Sequence, residues 1–174
     1  MEESVADQPQ QYIPEREYYP TVTAVIIHED KVLLRRDEKQ FNWLSPSTHI
    51  GIDETPIDAL FRHIRAETGL PQNNLVTLLP YIDNLSLERD ETESTTQPLP
   101  FDLDIHRVGQ DKHYHVDSAY ILISNTNELT PEADIPPELQ WFDANELKDL
   151  MMTSKTTVSR ALYALKRYKE NPPE

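Results

Sequence analysis

A cluster of histidines and aspartates between positions 101 and 117 has the side chains and the spacing to do chemistry. The segment reads FDLDIH, then six residues, then HYHVD, and both pieces alternate as β-strands do. Alternation places on one face of each predicted strand the residues Asp102, Asp104, His106, His113, His115 and Asp117. If the strands pair as a hairpin across residues 107–112, His106 lies close to His113 and these polar groups converge on one surface.

Three interpretations fit this cluster, and the residues alone leave them open. The first is substrate binding, in which His106, His113 and His115 donate hydrogen bonds to phosphate beside Asp117. The second is a Zn²⁺ or Mn²⁺ site of two histidines and carboxylates, because imidazole suits borderline metals better than it suits magnesium. The third is the solvent-facing polar side of an edge hairpin, a common arrangement in antiparallel sheets.

A helix predicted over residues 56–68 positions a second group of polar side chains. Thr55 is a good N-cap residue, and Gly69 supplies the stop. Apolar residues recur at helical spacing at Ile57, Leu60, Phe61 and Ile64. Because they are four residues apart, His63 and Glu67 share one face of this helix.

The remaining pattern predicts a mixed α and β domain. Runs of β-branched and apolar residues predict strands at residues 21–27, 31–34, 75–79, 101–106, 113–124 and 140–142. A helix capped by Asp143 and an amphipathic helix at 156–169 follow. Residues 1–17 are polar and acidic and predict a flexible tail, whereas residues 18–170 predict one domain with a mobile loop at 88–100.

The composition limits the class of ligand. The chain carries 16 Lys and Arg residues against 31 Asp and Glu residues, a formal net charge of −15, which argues against a nucleic-acid partner. An anionic small molecule stays compatible if a metal ion or local cations reverse the field at the site. With no cysteine and no apolar run long enough to span a membrane, we expect a cytoplasmic protein without a membrane partner.

The stretch from Trp43 to Leu70 resembles the Nudix box, the family motif G-x5-E-x7-R-E-U-x-E-E-x-G-U in which U is aliphatic. The family spacing is kept by Glu54, Arg62, Ile64, Glu67, Gly69 and Leu70. The residues leading into the box also resemble the family, and these are Trp43, Leu44, Pro46, His49 and Ile50. Three positions depart from the motif: Thr48 replaces its first glycine, and His63 and Ala66 replace two of its glutamates.

The resemblance, which covers about residues 20–150, implies an α/β fold, an α/β/α sandwich around a mixed sheet. It also implies a Mg²⁺ or Mn²⁺ ion held by Glu67 and Glu54, since carboxylates aimed at one point bind a hard cation together with diphosphate oxygens. His63 is expected to act as a further ligand or as the base, and Arg62 to orient a motif carboxylate through a salt bridge. A homodimer is compatible with the resemblance.

The function implied is metal-dependent hydrolysis of a nucleoside diphosphate linked to another group, with Glu67, Glu54, His63 and Arg62 as the catalytic set. Loss of two acids lowers the negative charge that holds a divalent ion. An alternative therefore stays open: a catalytically weak or inactive Nudix fold that binds a nucleotide-like diphosphate as a sensor or interaction module. A Zn²⁺ ion at the histidine and aspartate cluster would compensate for the replaced acids.

Overall fold

The computed structural model describes residues 16–39, 41–78, 97–109, 113–132, 136–151 and 153–172. The strands are β1 (Glu17–His28), β2 (Lys31–Asp37), β3 (Asn42–Leu44), β4 (Ser47–His49), β5 (Leu75–Leu78), β6 (Asp102–Arg107), β7 (His113–Ser124) and β8 (Leu139–Phe142). The helices are α1 (Pro56–Thr68), α2 (Ala144–Asp149) and α3 (Lys155–Glu170), with a 3-10 turn at Gln72–Asn74. The strands form one mixed sheet of order β3-β2-β1-β7-β5, in which β4 pairs with β1, β6 with β7 and β8 with β2.

Two long parallel strands, β1 and β7, form the centre of the sheet. They pair in register up to Ile27 opposite Ile123. Their C-terminal halves are buried because both are continuous runs of β-branched and aliphatic residues. Their N-terminal halves carry polar side chains, and parallel pairing aligns Thr21 with Asp117. The polar residues of both strands therefore gather at one end of the sheet.

Helices cover both faces of this sheet, which confirms the predicted α/β/α sandwich. On one face, α1 buries Leu60 and Ile64 against alternate residues of β1 such as Ala24. On the other face, α3 buries Ala161 and Leu165 against the intervening residues of β1. We refer to these two sides as the α1 face and the α3 face.

Local signals set both ends of α1, and its observed bounds, Pro56–Thr68, confirm the prediction. The Thr55 hydroxyl accepts a hydrogen bond from the Asp58 N–H, and the Asp58 carboxylate accepts one from the Thr55 N–H, which makes a capping box. Gly69 ends the helix at a φ of 75°, and a Cβ there would meet the Thr130 carbonyl oxygen at 2.0 Å. Glycine alone accommodates both that backbone angle and that contact.

The other predicted elements are also present, some with shifted bounds. The strand predicted at 113–124 coincides with β7, and the last helix is longer by one residue at each end. Strand β1 begins at Glu17 instead of Thr21, because β7 offers it a long parallel partner, so Glu17 does not belong to the predicted tail. Residues 1–15 of that tail and residues 88–96 of the predicted loop lie outside the described residues. Among the helices that the structure describes, none is long and apolar enough to cross a membrane.

Candidate functional site

A cleft of about 660 Å³ opens on the α3 face at the polar end of β1 and β7. Thr21 and Thr23 of β1 line it, on the same face as Val25 and Ile27, which pack against α3. The other walls come from the end of β2, from β3, β4 and β6, and from the start of α3. The cleft is therefore built from elements that lie far apart in the sequence.

The hairpin of β6 and β7 brings part of the predicted histidine and aspartate cluster into the lining of this cleft, namely Asp104, His106, His115 and Asp117. The observed register pairs His106 with His115, so the prediction that His106 lies beside His113 is wrong. Strand β6 continues through Arg107, and the turn that follows contains Gly109 at a left-handed φ of 66°. The observed pairing differs from the predicted one by two residues along β7. Because side chains alternate with a period of two, all six polar residues of the cluster still lie on one face of the sheet.

His49, at the end of β4, joins the cluster from a third strand. It pairs with Thr21 across the sheet, and its ring centroid lies 4.8 Å from that of His115. The Nε2 atoms of His113 and His115 are 3.0 Å apart, and Tyr19 stacks on His113 at 4.2 Å. The ligand nitrogens of His49, His113 and His115 all lie within 4.8 Å of one another.

His106 stands next to this group of imidazoles and is held by a carboxylate. Its Nδ1 lies 2.9 Å from Asp104 Oδ2, and its ring centroid is 5.4 Å from that of His115. Burial lowers the pKa of His115, and the neighbouring His49, His106 and His113 lower it further. The neutral form of His115 is therefore favoured, and a neutral imidazole is the form that accepts a hydrogen bond or binds a metal.

Asp117 and Arg160 form a buried ion pair in the wall of the cleft. Asp117 is 3% exposed, and it accepts hydrogen bonds from Arg160 Nη1 at 2.6 Å and from the Thr21 and Thr23 hydroxyls at 3.0 and 2.9 Å. Arg160 Nε also donates to Asp102 at 2.7 Å. Burial alone would lower the pKa of Arg160, but its hydrogen bonds to Asp102 and Asp117 raise it. Asp117 thus holds Arg160 in place as a fixed cation.

One nitrogen of Arg160 remains for a ligand. Its Nη2 is buried and has no hydrogen-bond partner among the described residues. Arg160 lies near the start of α3, and the N-terminal residues Ser154, Thr156 and Thr157 line the same cleft. A helix N-terminus carries a partial positive charge, so Arg160 Nη2 and the helix end are candidate partners for an anionic ligand.

Glu54 of the Nudix-like segment is bound to Arg62 of α1. Arg62 Nη2 donates to Glu54 Oε2 at 2.8 Å, Nε donates to Oε1, and the Gly51 N–H donates to Oε2 at 3.0 Å. These donors, Arg62 first, lower the pKa of Glu54 to about 2. Glu54 is therefore an anion at neutral pH that already has a cationic partner. The catalytic role predicted for Glu54 and Arg62 remains a prediction.

Glu67 lies between Arg35 and His63. Arg35 Nε is 3.2 Å from Glu67 Oε1, and His63 Nε2 is 3.2 Å from Oε2, although neither contact has hydrogen-bond geometry. Mg²⁺ requires a near-octahedral set of hard oxygen ligands, whereas a guanidinium and an imidazole flank this carboxylate. As arranged, the residues around Glu67 do not fit a hard divalent ion.

The structure separates the two groups of predicted site residues. Arg35 is two residues from Leu33 on β2, and Leu33 packs in the core on the α1 face, so Arg35 points to that face as well. Glu67, which contacts Arg35, and His63 therefore lie on the α1 face, whereas the cluster lies on the α3 face. In the described part of the chain, the lining of the cleft includes Thr48 but neither Glu54 nor Glu67.

Three residues of these sites, His49, Arg35 and Arg160, are not assigned by the sequence pattern. His49 reaches the cluster by strand pairing and Arg35 reaches Glu67 from a neighbouring element, and local patterns do not predict such contacts. Arg160 does leave a signal, because it stands in the buried stripe of α3 with Thr157 and Ala161. An arginine in a buried stripe requires a buried anion as its partner.

Comparison with known proteins assigns the chain to a family. A model described as NUDIX domain matches residues 17–163, and the chain therefore belongs to the NUDIX domain family, as its box residues indicate. The RNA pyrophosphohydrolase of Xanthomonas campestris pv. campestris is 37% identical over 54 residues, which is 30% of this chain and 26% of that protein. The chain thus matches about a quarter of the length of that curated relative.

Solved structures share the fold. A hydrolase of the NUDIX family from Clostridium perfringens has a TM-score of 0.74 at 26% identity, over 85% of this chain and 96% of that chain. The NUDIX domain of Shewanella oneidensis NrtR, complexed with ADP ribose, has a TM-score of 0.57 at 12% identity, over 95% of this chain and 93% of that chain. At 12% identity, the likeness to the NrtR domain concerns the fold alone.

Proposed function

We propose that this chain hydrolyses the diphosphate bond of a nucleoside diphosphate linked to another group, and that its substrate lies in the cleft on the α3 face. The observation that carries the proposal is the buried Arg160 Nη2, which has no hydrogen-bond partner among the described residues and lies in the same cleft as the imidazoles of His106 and His115. A diphosphate places two anionic groups side by side, and such a ligand needs several cationic or hydrogen-bonding partners.

Each residue of the cleft has a distinct part in this proposal. Arg160 donates from Nη2 to one phosphate at the N-terminus of α3, and Asp117 positions that guanidinium. His106 donates a hydrogen bond to the neighbouring phosphate. His115 lines the polar end of the cleft and His113 lies beside it, where they contact the ligand or a metal ion.

The size of the cleft and the charge of the chain favour a small ligand. A volume of about 660 Å³ falls in the range of roughly 300 to 1,000 Å³ that is usual for small-molecule sites. The net charge of −15 repels the backbone of a nucleic acid. Because the NrtR domain of similar fold binds ADP ribose, a nucleoside diphosphate joined to a sugar, ADP-ribose is the first ligand to try.

A divalent ion, when bound, polarises the diphosphate and lowers the pKa of the attacking water. The sequence assigns Mg²⁺ or Mn²⁺ to Glu67, Glu54 and His63, with Arg62 orienting Glu54. Because Arg35 flanks Glu67 at 3.2 Å, we expect only weak binding of either ion there. The surviving box residues then act mainly by fixing α1 and the loop ahead of it.

A second candidate function is a nucleotide-binding module that does not turn over its ligand. The observation that favours it is the contact of Arg35 with Glu67, together with His63 and Ala66 at two positions where the family motif has glutamate. Such a protein keeps the cleft and its anion-binding position but lacks the acids of the motif.

A turnover panel with variants of α3 tests the proposal. We expect ADP-ribose or another nucleoside diphosphate conjugate to be cleaved in the presence of Mg²⁺, Mn²⁺ or Zn²⁺, with products quantified by chromatography. Arg160→Lys loses the Nη2 contact and is expected to raise KM by roughly tenfold or more. Arg167→Lys, an exchange outside the cleft on the same helix, is the matched control and leaves KM unchanged.

The possible outcomes separate the two candidate functions. Thermal stabilisation by a conjugate without any product supports the binding module and contradicts the hydrolase. A complete lack of product and of stabilisation across the panel overturns both. Wild-type KM in the Arg160→Lys variant shows that the substrate does not contact this guanidinium.

A further inference from the structure

We propose that His49, His113 and His115 form a binding site for a divalent transition metal of the zinc class, separate from the Nudix box. The three residues come from β4 and β7, and their ligand nitrogens lie within 4.8 Å of one another. The site rests on this geometry, whereas its use in catalysis rests on the proposed function.

The three imidazoles are close enough to bind one metal ion after a small movement of their side chains. Zinc binds imidazole nitrogen at roughly 2.0 to 2.1 Å, so the nitrogens of a tetrahedral site lie roughly 3.3 Å apart. The Nε2 atoms of His113 and His115 are 3.0 Å apart. His49 is exposed, so a rotation of its side chain closes the remaining distance without a change in the sheet.

Packing holds two of the three ligands in place. His113 and His115 are two residues apart on β7 and therefore point to the same side, and the parallel ladder with β1 fixes their backbone. Tyr19 stacks on His113 with ring planes 10° apart. A His-x-His pair on a central strand thus presents two nitrogens, and His49 supplies the third.

A solvent-facing polar hairpin does not explain this group. His113 and His115 are partly buried, and three imidazoles in mutual contact repel one another when protonated.

Three protein nitrogens leave a fourth position for water or substrate, as in catalytic zinc sites. His49 and His115 line the cleft in which we place the diphosphate, so that position faces the ligand cavity. His106, held by Asp104 at 2.9 Å, lies beside His115 and supports it from the outer shell of the site.

Titration with Co²⁺ tests the site directly. The full chain is purified without a histidine tag, stripped of metal and titrated with Co²⁺, and we expect one equivalent to give the d–d absorption of a four- or five-coordinate ion that Zn²⁺ displaces. His49→Ala, His113→Ala and His115→Ala are each expected to weaken binding by more than about 100-fold. His63→Ala in the box and His28→Ala outside the cluster are controls that bind as the wild type does.

Circular dichroism shows whether each variant is folded. Glutamine is used instead of alanine at any position whose alanine variant is unfolded. A lack of Co²⁺ binding, binding that survives in both His49→Ala and His115→Ala, or binding that is lost in His63→Ala overturns the proposed site. Because the readout is metal binding, it is independent of turnover. A chain that binds Co²⁺ at this cluster but cleaves no diphosphate contradicts the proposed hydrolase alone.

Discussion

Replacement of Arg160 by methionine is expected to lower the free energy of unfolding by about 3 kcal/mol. The change removes the cation from Asp117, a residue that is 3% exposed and, within the described part of the chain, keeps only the hydroxyls of Thr21 and Thr23 as donors. A buried carboxylate without a cation is costly because it has lost its hydration. Urea unfolding followed by circular dichroism measures the difference.

Arg167→Met on the same helix is the control for this effect. Arg167 contacts Glu170 at 3.3 Å near the surface, and such pairs contribute less than about 1 kcal/mol. Adding Asp117→Asn to Arg160→Met should restore part of the lost stability, because it removes the unpaired charge. Equal stability of the Arg160→Met and Arg167→Met variants would contradict a buried ion pair at this position.

Removing the cation from Glu67 is expected to tighten Mn²⁺ binding at the Nudix box by roughly tenfold or more. In the double variant Arg35→Gln/His63→Glu, Glu67 loses a guanidinium at 3.2 Å and gains a carboxylate one helical turn away. Two hard oxygen ligands then share one face of α1. Electron paramagnetic resonance of free Mn²⁺ gives the Kd, in a His49→Ala/His115→Ala background so that the cleft histidines do not compete.

Arg36→Gln is the matched control, since Arg36 follows Arg35 on β2 and contacts the exposed Glu138. This variant should bind Mn²⁺ as weakly as the background does. Glu67→Gln added to the double variant should abolish the gain. If the double variant and the Arg36→Gln control bind Mn²⁺ equally, Arg35 and His63 do not suppress metal binding at the box.

Much of the fold could be predicted because its elements depend on neighbouring residues. Thr55 and Gly69 define the ends of α1, and Asp143 with Glu146 forms the capping box that begins α2. The first residues of β1, from Glu17 onward, could not be predicted as a strand, because they are exposed and are ordered by pairing with β7. Strand pairing of this kind depends on contacts between distant parts of the sequence.

The residue types of the candidate site could also be predicted, but its geometry could not. Alternation placed His113 and His115 on one face, whereas the hairpin register depended on where β6 ended and the turn began. His49 and Arg160 enter the site only through the sheet topology and the packing of α3. The Nudix resemblance predicts Glu67 as a metal ligand, but it does not predict the contact of Glu67 with Arg35, because Arg35 lies on another element of the chain.

The central claim is that the ligand binds in the cleft on the α3 face and not beside the box carboxylates. An amide ¹H–¹⁵N titration with a non-hydrolysable methylene analogue of ADP-ribose tests it most directly. We expect the largest shifts at His49 of β4 and at Thr156 and Thr157 of α3. Shifts confined to the α1 residues around Glu67 and to Arg35, with none at those three positions, would contradict the account.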